Sequence, residues 1–385
     1  MIDLDQVLYA DRHAFFERIS KGRIHATLSA LRSLLYTRFL FPDRAEKEFI
    51  FFRSLARNDY HDFFNNVTST VPEANRITIQ DYIRQSKYPL PQAIFSLIKY
   101  LPTFFSFSAD SIQQRFFLYF RLCFYYQQIS ALKKFEFNTI ILFADMQPIE
   151  NLISQYFGSK GKSTVTLQHG LYVDYEDFET VNRINYLHQP SEYFLSWGNV
   201  TKKLIQKYHP NRNVVLCGKP IVIHSSNIKS PPLDESFFTV ILDQKLFDKQ
   251  NKEMLHLMAE YSSKSGLKIN VRFHPSNNKN YFRQLGIDFL EDCHLESSRF
   301  VVGHTSSMIY ELLYCGIPTF KFSSEIPFVD LPDEIVFSNC TDIDNILNKK
   351  IDFKEIGKQY IDSTGEESMQ AYTEFFSHFT GDICT

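Results

Sequence analysis

The sequence predicts an α/β protein in which two doubly wound domains face a cleft and a helical region precedes them. From Thr139 onward, short apolar runs alternate with amphipathic helical patterns, which is typical of parallel sheets covered by helices. The stretch 221–235 is rich in Pro, Ser and Asn and divides this alternation into two series. With 385 residues, 44% of them hydrophobic, the chain is long enough to form two such cores.

The predicted elements follow in order along the chain. We expect residues 1–220 to form the first domain, with 1–135 mostly helical, and 221–235 to be a linker. Residues 236–365 would form the second domain, and 366–385 a C-terminal helix with an amphipathic pattern. The predicted strands of the two series, in chain order, are TIILFA, STVTLQ, EYFLSWG and NVVLCGKP, then FFTVILDQ, LKINVRFHP, RFVVG and PTFKF.

An aromatic segment from Phe104 to Tyr126, which includes QQRFFLYFRLCFYYQQ, predicts a long helix. Apolar residues fall nearly all round this helix, so their periodicity does not show which face is buried. We favour a helix that is buried in the core. The alternative is a helix that lies on a membrane surface or binds a partner, with Arg115 and Arg121 at its edge.

Composition narrows the range of functions. The formal net charge of −3 provides no basic field for nucleic acid, so we expect no nucleic-acid partner. Six cysteines are scattered without a C-x-x-C pair, which argues against a zinc site and fits a reducing cytoplasm. The acidic N-terminus is unlike a signal peptide, and no run of about 18 apolar residues could span a bilayer. We therefore expect a cytoplasmic protein. We also expect no zinc site and no bound cofactor.

Four polar residues stand just after predicted strands: His169, Gln244, His274 and Ser306. In an open parallel sheet, ligands bind at the carboxyl ends of the strands, which is where these residues fall. Motifs of other site classes are missing, since the sequence has no G-x-x-x-x-G-K-[ST], no G-x-G-x-x-G and no G-x-S-x-G. The shared placement of the four residues is the strongest sign of a binding site in the sequence.

The stretch VVGHTSSMIYELLYCGIP predicts a strand, a loop and a helix that starts near Thr305, Ser306 and Ser307. These hydroxyls could simply cap the helix. Alternatively, they could hold a phosphate together with the free N–H groups and the positive dipole end of the helix. Glu311, one turn into the helix, could reach ribose hydroxyls, or could only stabilise the helix start by its charge.

Two other strand ends of the second series carry polar side chains. Arg272 and His274 end one strand, and Gln244 and Lys245 follow another. Each of these side chains could contact a diphosphate. For His274 the competing interpretation is a hydrogen bond to a loop carbonyl, and for Lys245 it is a surface ion pair.

The candidate catalytic residues lie in the first series. His169 ends a strand just before Gly170, and an imidazole, with an ordinary pKa near 6.5, suits a general base. Glu176 and Asp177 follow a few residues later and could orient this histidine or act as the base themselves. The competing interpretation of the two acids is solvated loop charge.

Several short motifs occur in an order that resembles a known group of enzymes. They are Gln168-His169-Gly170, Ser196-Trp197-Gly198, Gly218-Lys219-Pro220, Arg272-Phe273-His274-Pro275 and Gly303-His304-Thr305-Ser306-Ser307, followed by Gly316-Ile317-Pro318. The ordered set is similar to bacterial surface-polysaccharide transferases of the GT-B fold. That group includes capsule sialyl- and Kdo-transferases and the CDP-glycerol glycerophosphotransferases of teichoic acid synthesis. The resemblance covers Thr139 to Phe322 and leaves the helical N-terminal third unmatched.

This resemblance implies two Rossmann-like domains, with the donor nucleotide on the second, the acceptor on the first and no essential metal. It implies that His274 and the turn at Thr305 to Ser307 bind the donor phosphates and that Glu311 binds the ribose. His169 would be the base in the teichoic-type pattern, whereas the sialyltransferase pattern uses an acidic pair before a glycine. Here Glu176-Asp177 is followed by Phe178. The expected donor-binding set is Gln244, Lys245, Arg272, His274, Thr305, Ser306, Ser307 and Glu311.

The expected activity is the transfer of a sugar from a CMP-, CDP- or UDP-linked donor to a growing cell-surface polysaccharide, such as capsule or lipopolysaccharide, or to a lipid-linked glycan. One alternative is a polyol-phosphate transferase of the CDP-glycerol type. Others are a nucleotide-sugar epimerase or hydrolase, and a non-catalytic scaffold of polysaccharide assembly. The expected partners are the activated sugar and the glycan acceptor. Peripheral contact with the inner face of the membrane is a further option.

Overall fold

The chain forms two six-stranded parallel sheets with helices between the strands. A computed structural model describes residues 2–17, 22–42, 46–55, 57, 59–84, 90–170, 172–175, 183–221, 236–291, 295–325 and 331–379. Most of the predicted linker, the candidate residues Glu176 and Asp177, and the last six residues of the predicted C-terminal helix lie outside the described residues. The fold class predicted from the sequence is confirmed.

The first half of the chain contains eight of the strands. They are β1 (Thr37–Phe39), β2 (Phe49–Phe52), β3 (Arg76–Ile79), β4 (Tyr82–Arg84), β5 (Thr139–Leu142), β6 (Ser163–Leu167), β7 (Tyr193–Ser196) and β8 (Asn213–Leu216). The helices are α1 (Leu4–Val7), α2 (Tyr9–Glu17), α3 (Arg23–Tyr36), α4 (Asp59–Ser69), α5 (Leu90–Lys99), α6 (Ile112–Leu132), α7 (Pro148–Gly158), α8 (Ile184–Leu187) and α9 (Asn199–Tyr208). The sheet order is β3-β2-β5-β6-β7-β8, and β1 and β4 form a separate antiparallel pair.

The second half contains the other sheet. Its strands are β9 (Phe237–Ile241), β10 (Lys268–Arg272), β11 (Leu290–Glu291), β12 (Val301–Gly303), β13 (Thr319–Phe322) and β14 (Val336–Phe337). The helices are α10 (Asp248–Ser265), α11 (Lys279–Arg283), α12 (Met308–Tyr314), α13 (Cys340–Leu347), α14 (Phe353–Lys358) and α15 (Gly365–Ser377). The sheet order is β11-β10-β9-β12-β13-β14. Because all pairings in both sheets are parallel, the carboxyl ends of each sheet lie at one edge.

The eight strands predicted from Thr139 onward are confirmed as β5 to β10, β12 and β13. The sequence did not predict β2 and β3, which lie within the region expected to be mostly helical. All four side chains of β2 are fully buried, between β3 and β5. A short run such as FIFF fits a buried strand and a buried helix equally well, so periodicity could not separate them.

The aromatic segment forms α6, and the interpretation as a buried helix is confirmed for the middle of that helix. The two arginines of this helix, which the alternative interpretation placed at the edge of a docking face, make hydrogen bonds within the protein. Arg121 Nε donates to Oδ1 of the buried Asp11 at 3.1 Å, and Arg115 Nη1 donates to the carbonyl of Phe104 at 2.9 Å. Both guanidinium groups thus tie α6 to neighbouring segments of the same half.

The two halves are joined by backbone contacts beyond the ends of β7 and β8. The segment 359–365 runs alongside these ends. Its Asp362 N–H donates to the carbonyl of Trp197 at 2.8 Å, and Lys219 N–H donates to the carbonyl of Ser363 at 2.8 Å. The glycines of two sequence motifs permit this approach, since Gly198 packs on the backbone of Tyr360 and Gly218 on Ser363.

After this segment, α15 returns to the first sheet. The ring of Phe376 lies edge-on against Phe49 and Phe51, with centroid distances of 5.8 and 5.6 Å. The C-terminal helix therefore completes the core of the first half, although it follows the second half in sequence. The boundaries proposed at 220, 236 and 365 stay a prediction.

We expect Gly198→Ala to destabilise the protein. A methyl group on Gly198 would lie 2.4 Å from the carbonyl carbon and oxygen of Tyr360, so the two backbones would have to separate. Forced separation of this kind lowers the free energy of unfolding by about 1–3 kcal/mol. The measurement is the urea midpoint. Gly158→Ala is the matched control, because its methyl group would meet only the Thr164 side chain at 3.7 Å. Equal midpoints for the two variants would contradict the expectation.

Candidate active site

Three neighbouring strand ends of the second sheet meet at Asp243, directly after β9. The order β10-β9-β12 places the loops that follow β10 and β12 on either side of it. From the β10 side, Asn277 Nδ2 donates to the carbonyl of Asp243 at 2.9 Å. From the β12 side, both the N–H (3.1 Å) and the hydroxyl of Thr305 donate to Oδ2 of Asp243, while Gln244 N–H donates to Oδ1 at 2.6 Å. The candidate donor residues on these loops are thereby brought to one place.

The Asp243 carboxyl is almost fully buried, at 4% exposure. Burial raises its pKa to about 6, and the N–H groups of Gln244 and Thr305 work against that rise. The carboxylate is therefore ionised above pH 6 and accepts three hydrogen bonds. One consequence is that the hydroxyl of Thr305 is already used within the protein, so its predicted contact with a donor phosphate stays a prediction.

The loop after β10 holds the side chain of His274 in a defined form. Ser276 N–H donates to His274 Nδ1 at 3.1 Å, so this nitrogen is an acceptor. In the neutral ring the proton is therefore on Nε2, the form that can donate to a phosphate. Lys245 N–H in turn donates to Ser276 Oγ at 3.0 Å, which links this loop to the one after β9.

The start of α12 follows β12 through a tight turn, and Gly303 packs against Ile309 there. Ser307 is the N-cap residue but makes no side-chain cap hydrogen bond within the described part of the chain. Ser306 Oγ accepts only a 3.4 Å contact from Met308 N–H. The geometry thus does not support a simple cap at Ser307. The hydroxyl of Ser307 and the first turn of the helix lie at the carboxyl edge of the sheet.

Glu311, the predicted ribose ligand, contacts the first half of the chain. Its Oε1 lies 2.5 Å from Nζ of Lys219, which follows β8. The ammonium group also lies 4.8 Å from the centre of the Trp197 ring. Lys219 is 7% exposed, so this ion pair is largely shielded from water and joins the two halves. A ribose at Glu311 would have to share or displace Lys219.

The remaining predicted donor residues, Gln244, Lys245 and Arg272, are exposed at the same edge. His304 lies beside them in the motif but is fully buried, with Nε2 2.5 Å from Ser324 Oγ. Burial, together with the charge of Lys321, lowers its pKa to about 4. His304 is therefore neutral at pH 7 and packs inside the second half.

In the first half, His169 lies at the end of β6 among three aromatic rings. The centroids of Tyr60, Phe143 and Tyr172 lie 6.0, 5.8 and 5.6 Å from its own. Burial, and then the positive charge of Arg57, lower the pKa of His169 to about 3. The imidazole is thus neutral throughout the physiological range. It is a weaker base in the free protein than an exposed histidine would be.

A chain of hydrogen bonds sets the tautomer of His169. Arginine can only donate, so the atom of the Gln189 amide that lies 3.2 Å from Arg212 Nη1 must be the oxygen, Oε1. Gln189 Nε2 then donates to the Tyr172 hydroxyl at 3.2 Å. The hydroxyl hydrogen of Tyr172 is left to donate to His169 Nδ1, 3.2 Å away. His169 therefore carries its proton on Nε2. The predicted base role requires the other tautomer, which this chain disfavours.

Tyr172→Phe should remove the hydroxyl group that sets the tautomer of His169. Without the hydroxyl, Nδ1 loses a donor that stabilises the neutral ring, so we expect the pKa of His169 to rise and both tautomers to be populated. Long-range ¹H–¹⁵N NMR of the imidazoles measures both quantities, and His169→Gln identifies the signal. Tyr60→Phe alters another ring beside His169 and leaves the chain intact, so it should change neither. A single Nε2–H tautomer in Tyr172→Phe would contradict the assignment.

The segment that follows His169 packs against the second half of the chain. One apolar cluster contains Tyr172 and Val173, which follow His169, together with Phe247, Ile309 and Tyr310 of the second half. Tyr172 and Val173 therefore lie beside the start of α12. Glu176 and Asp177 lie outside the described residues, so their predicted roles stay predictions. The described residues hold no group of three or more His, Cys, Asp or Glu side chains placed to bind a metal ion.

Several residues of this site were not predicted from the sequence. Tyr172, Gln189 and Arg212 form the chain behind His169, and Lys219 forms the ion pair with Glu311. The sequence did contain an indication for Lys219, because this residue belongs to the motif Gly218-Lys219-Pro220. No local pattern indicates the other three, because the fold brings them together from three separate segments.

No family model matches this chain, and no curated protein matches it by sequence. Known structures do resemble it. One is UDP-GlcNAc 2-epimerase of Methanocaldococcus jannaschii, in complex with UDP-GlcNAc and UDP. The TM-score is 0.55 at 11% identity, over 87% of this chain and 100% of that one. Another is S. aureus MnaA with UDP, at a TM-score of 0.54 and 12% identity over 88% and 98%.

A third similar structure is the apo form of WaaB, a lipopolysaccharide outer core galactosyltransferase. The TM-score is 0.51 at 13% identity, over 87% of this chain and 100% of that one. The chain has the GT-B fold. At these identities the likeness shows the fold alone. The two Rossmann-like domains of that fold correspond to the two parallel sheets, whose carboxyl edges carry the candidate residues.

Proposed function

We propose that this protein is a glycosyltransferase that moves a sugar from a nucleotide-activated donor to a glycan acceptor. The observation that carries the proposal is the arrangement at the carboxyl edge of the second sheet. His274 and the Ser306–Ser307 turn stand on either side of the end of β9, joined through Asp243. A histidine ring whose Nδ1 accepts a hydrogen bond and whose Nε2 carries a proton, two hydroxyls and the N-terminal end of α12 are groups suited to bind a diphosphate.

The remaining residues have roles that follow from their places. His169 lies across the cleft and presents Nε2–H, which can bind the acceptor or the departing phosphate. Glu311 faces the donor side and would bind the ribose after release from Lys219. Similarity to a galactosyltransferase and to two structures with bound UDP supports a nucleotide-sugar substrate. We propose catalysis without an essential metal and an acceptor that is a cell-surface glycan, free or lipid-linked.

A nucleotide-sugar epimerase is the second candidate. One structure with a TM-score of 0.55 is a UDP-GlcNAc 2-epimerase, and the whole of that chain aligns with 87% of this one. An epimerase converts its substrate without an acceptor, whereas a transferase releases nucleotide only when an acceptor is present. Incubation of nucleotide sugars with and without glycan acceptors therefore separates the two. The non-catalytic scaffold would bind no nucleotide and would convert none.

The first test is a thermal-shift screen with CMP, CDP, UDP, GDP and ADP in the presence of EDTA. A ligand that binds the folded state at about 100 times its dissociation constant adds roughly 2.7 kcal/mol to the free energy of unfolding. We expect the cytidine or the uridine nucleotides to raise the midpoint. Folded protein that responds to none of the five would overturn the proposal. A response that EDTA removes would overturn its metal-independent part.

A further inference from the structure

The helical part of the first half exposes an unusual amount of apolar surface. Of the thirteen large apolar side chains that are exposed among the described residues, nine lie on α3, α5, the turn 101–105 and the start of α6. We call these nine the apolar surface. They are Ile24, Leu28, Ile94, Phe95, Ile98, Leu101, Phe105, Ile112 and Phe116, with exposures from 43% to 78%. A concentration of this kind marks a binding surface rather than chance exposure.

Contacts between the elements hold the parts of the apolar surface together. Thr27 of α3 contacts the carbonyl of Gln113 at 3.4 Å, next to Ile112. The buried ring of Phe104 lies 5.1 Å from both Phe105 and Phe116. The hydroxyl of Tyr119 donates to a carbonyl of α5, and Cys123 of α6 contacts the same helix. The exposed side chains therefore belong to one packed unit.

The charges on this unit are mostly positive. Residues 23–36 and 90–120 contain Arg23, Arg32, Lys99 and Arg115 but only one acid, Asp110, whereas the whole chain has a net charge of −3. Lys99 Nζ lies 5.6 Å from the Phe95 ring and 5.4 Å from Tyr100, so an ammonium group stands beside exposed apolar rings. Cations that border exposed Phe, Leu and Ile fit the boundary between anionic headgroups and acyl chains.

The apolar surface also lies on the side of the cleft. Only residues 133–138 separate the end of α6 from β5, so α6 starts at the carboxyl side of the sheet. At 1.5 Å per residue its 21 residues measure about 31 Å, against about 13 Å for the four residues of β5. The first turns of α6 therefore extend beyond the carboxyl edge, on which His169 lies.

We infer that the apolar surface docks the protein on an anionic lipid membrane, with the cleft held near the lipid. The contact would be peripheral. Among the described helices, none is long and apolar enough to cross a bilayer. A second copy of the chain is a poorer occupant, because a twofold contact would bring like-charged surfaces together. This inference concerns location and is independent of the proposed activity.

Vesicle flotation tests the inference. We expect the full chain to float with vesicles of phosphatidylcholine and phosphatidylglycerol and to bind phosphatidylcholine alone at least about tenfold more weakly. Phe95→Ser/Ile98→Ser/Phe105→Ser should lower the partition coefficient for the anionic vesicles by at least about tenfold, since three exposed apolar anchors are lost. Arg23→Glu/Lys99→Glu should remove most of the preference for anionic lipid.

The control variant is Tyr281→Ser/Leu290→Ser, which removes two exposed apolar side chains of the second half. It should float like the wild type. Circular dichroism and the thermal midpoint must show that each variant is folded. The inference is overturned by wild-type protein that does not float, by a folded triple variant that floats equally well, or by a dimer in light scattering that only the triple variant disrupts. Each readout is separate from nucleotide binding, so either proposal can fail alone.

Discussion

Asp243→Ala is expected to lower the free energy of unfolding by about 3 kcal/mol and to abolish the response to nucleotides. The variant leaves the N–H groups of Gln244 and Thr305 and the Thr305 hydroxyl without their shared acceptor. Each buried donor left unpaired reduces stability by about 1–3 kcal/mol, partly offset because a buried charge is removed. The loops after β9 and β12 would also lose the contact that fixes their relative position. Urea unfolding and the nucleotide screen measure the two effects.

Asp243→Asn provides the graded control. In this variant the amide oxygen can still accept hydrogen bonds from Thr305, whereas the amide nitrogen faces the N–H group of Gln244, which is also a donor. Because one acceptor is kept, the loss of stability should be smaller than in the alanine variant. The loop after β10 should be unaffected in both, because Asn277 bonds to the backbone carbonyl of Asp243. An alanine variant as stable as the wild type would refute the central place of this carboxylate.

The same carboxylate predicts a pH dependence. Its pKa is raised from 3.8 to about 6 on folding, so between pH 4 and 6 the folded state binds a proton that the unfolded state has released. The contribution of Asp243 to stability is therefore largest below pH 4 and is lost as the pH rises through 6, by about 3 kcal/mol. Asp243→Asn lacks this slope. The difference between wild-type and variant urea midpoints at pH 4.5 and pH 7 measures it.

Ser306→Ala/Ser307→Ala is expected to weaken nucleotide binding by about 10²-fold or more without a comparable loss of stability. Hydrogen bonds to a charged group contribute about 1.5–3 kcal/mol each, and two such hydroxyls are proposed to face the phosphates. The variant should remain folded, because Ser307 makes no side-chain cap bond and Ser306 makes only a long one. Calorimetric titration with the nucleotide found in the screen gives the affinity.

Ser338→Ala is the matched control, because this serine also precedes a helix of the second half but lies in the loop before α13, where it bonds to Asp342. Its affinity for nucleotide should equal that of the wild type. If the double variant binds nucleotide as tightly as the wild type, the turn before α12 does not hold the phosphates. The donor site would then have to be sought elsewhere on the second sheet.

The sequence alone was enough to predict the strands that alternate regularly with helices. Each strand from Thr139 onward is bounded by Gly, Pro or polar residues, and strand-to-helix alternation predicts parallel sheets almost irrespective of tertiary context. The sequence did not indicate β2, where the run FIFF has no periodicity, or β3, where RITI alternates over only four residues. It also missed α15 as part of the first core, since amphipathicity shows that a helix packs but not against which sheet.

The candidate site was predictable in position but not in chemistry. Placement after strands located His169, His274 and Ser306 correctly at the carboxyl edges. The protonation of His169 depends on Arg212, Gln189 and Tyr172, which the fold brings together. The partner of Glu311 is Lys219, from the other half. Contacts between distant segments decide these properties, and periodicity and spacing contain no information about such contacts.

The packing of α15 has a consequence for synthesis of the chain. Phe375 and Phe376 belong to the same core as Phe49 and Phe51, so the first sheet cannot bury its aromatic face until α15 has left the ribosome. The main core of the second half contains no described residue of α15 and can form before that helix emerges. A nascent chain should therefore acquire protease resistance in its second half first, and a stop codon just before α15 should leave the first half the more sensitive to cleavage.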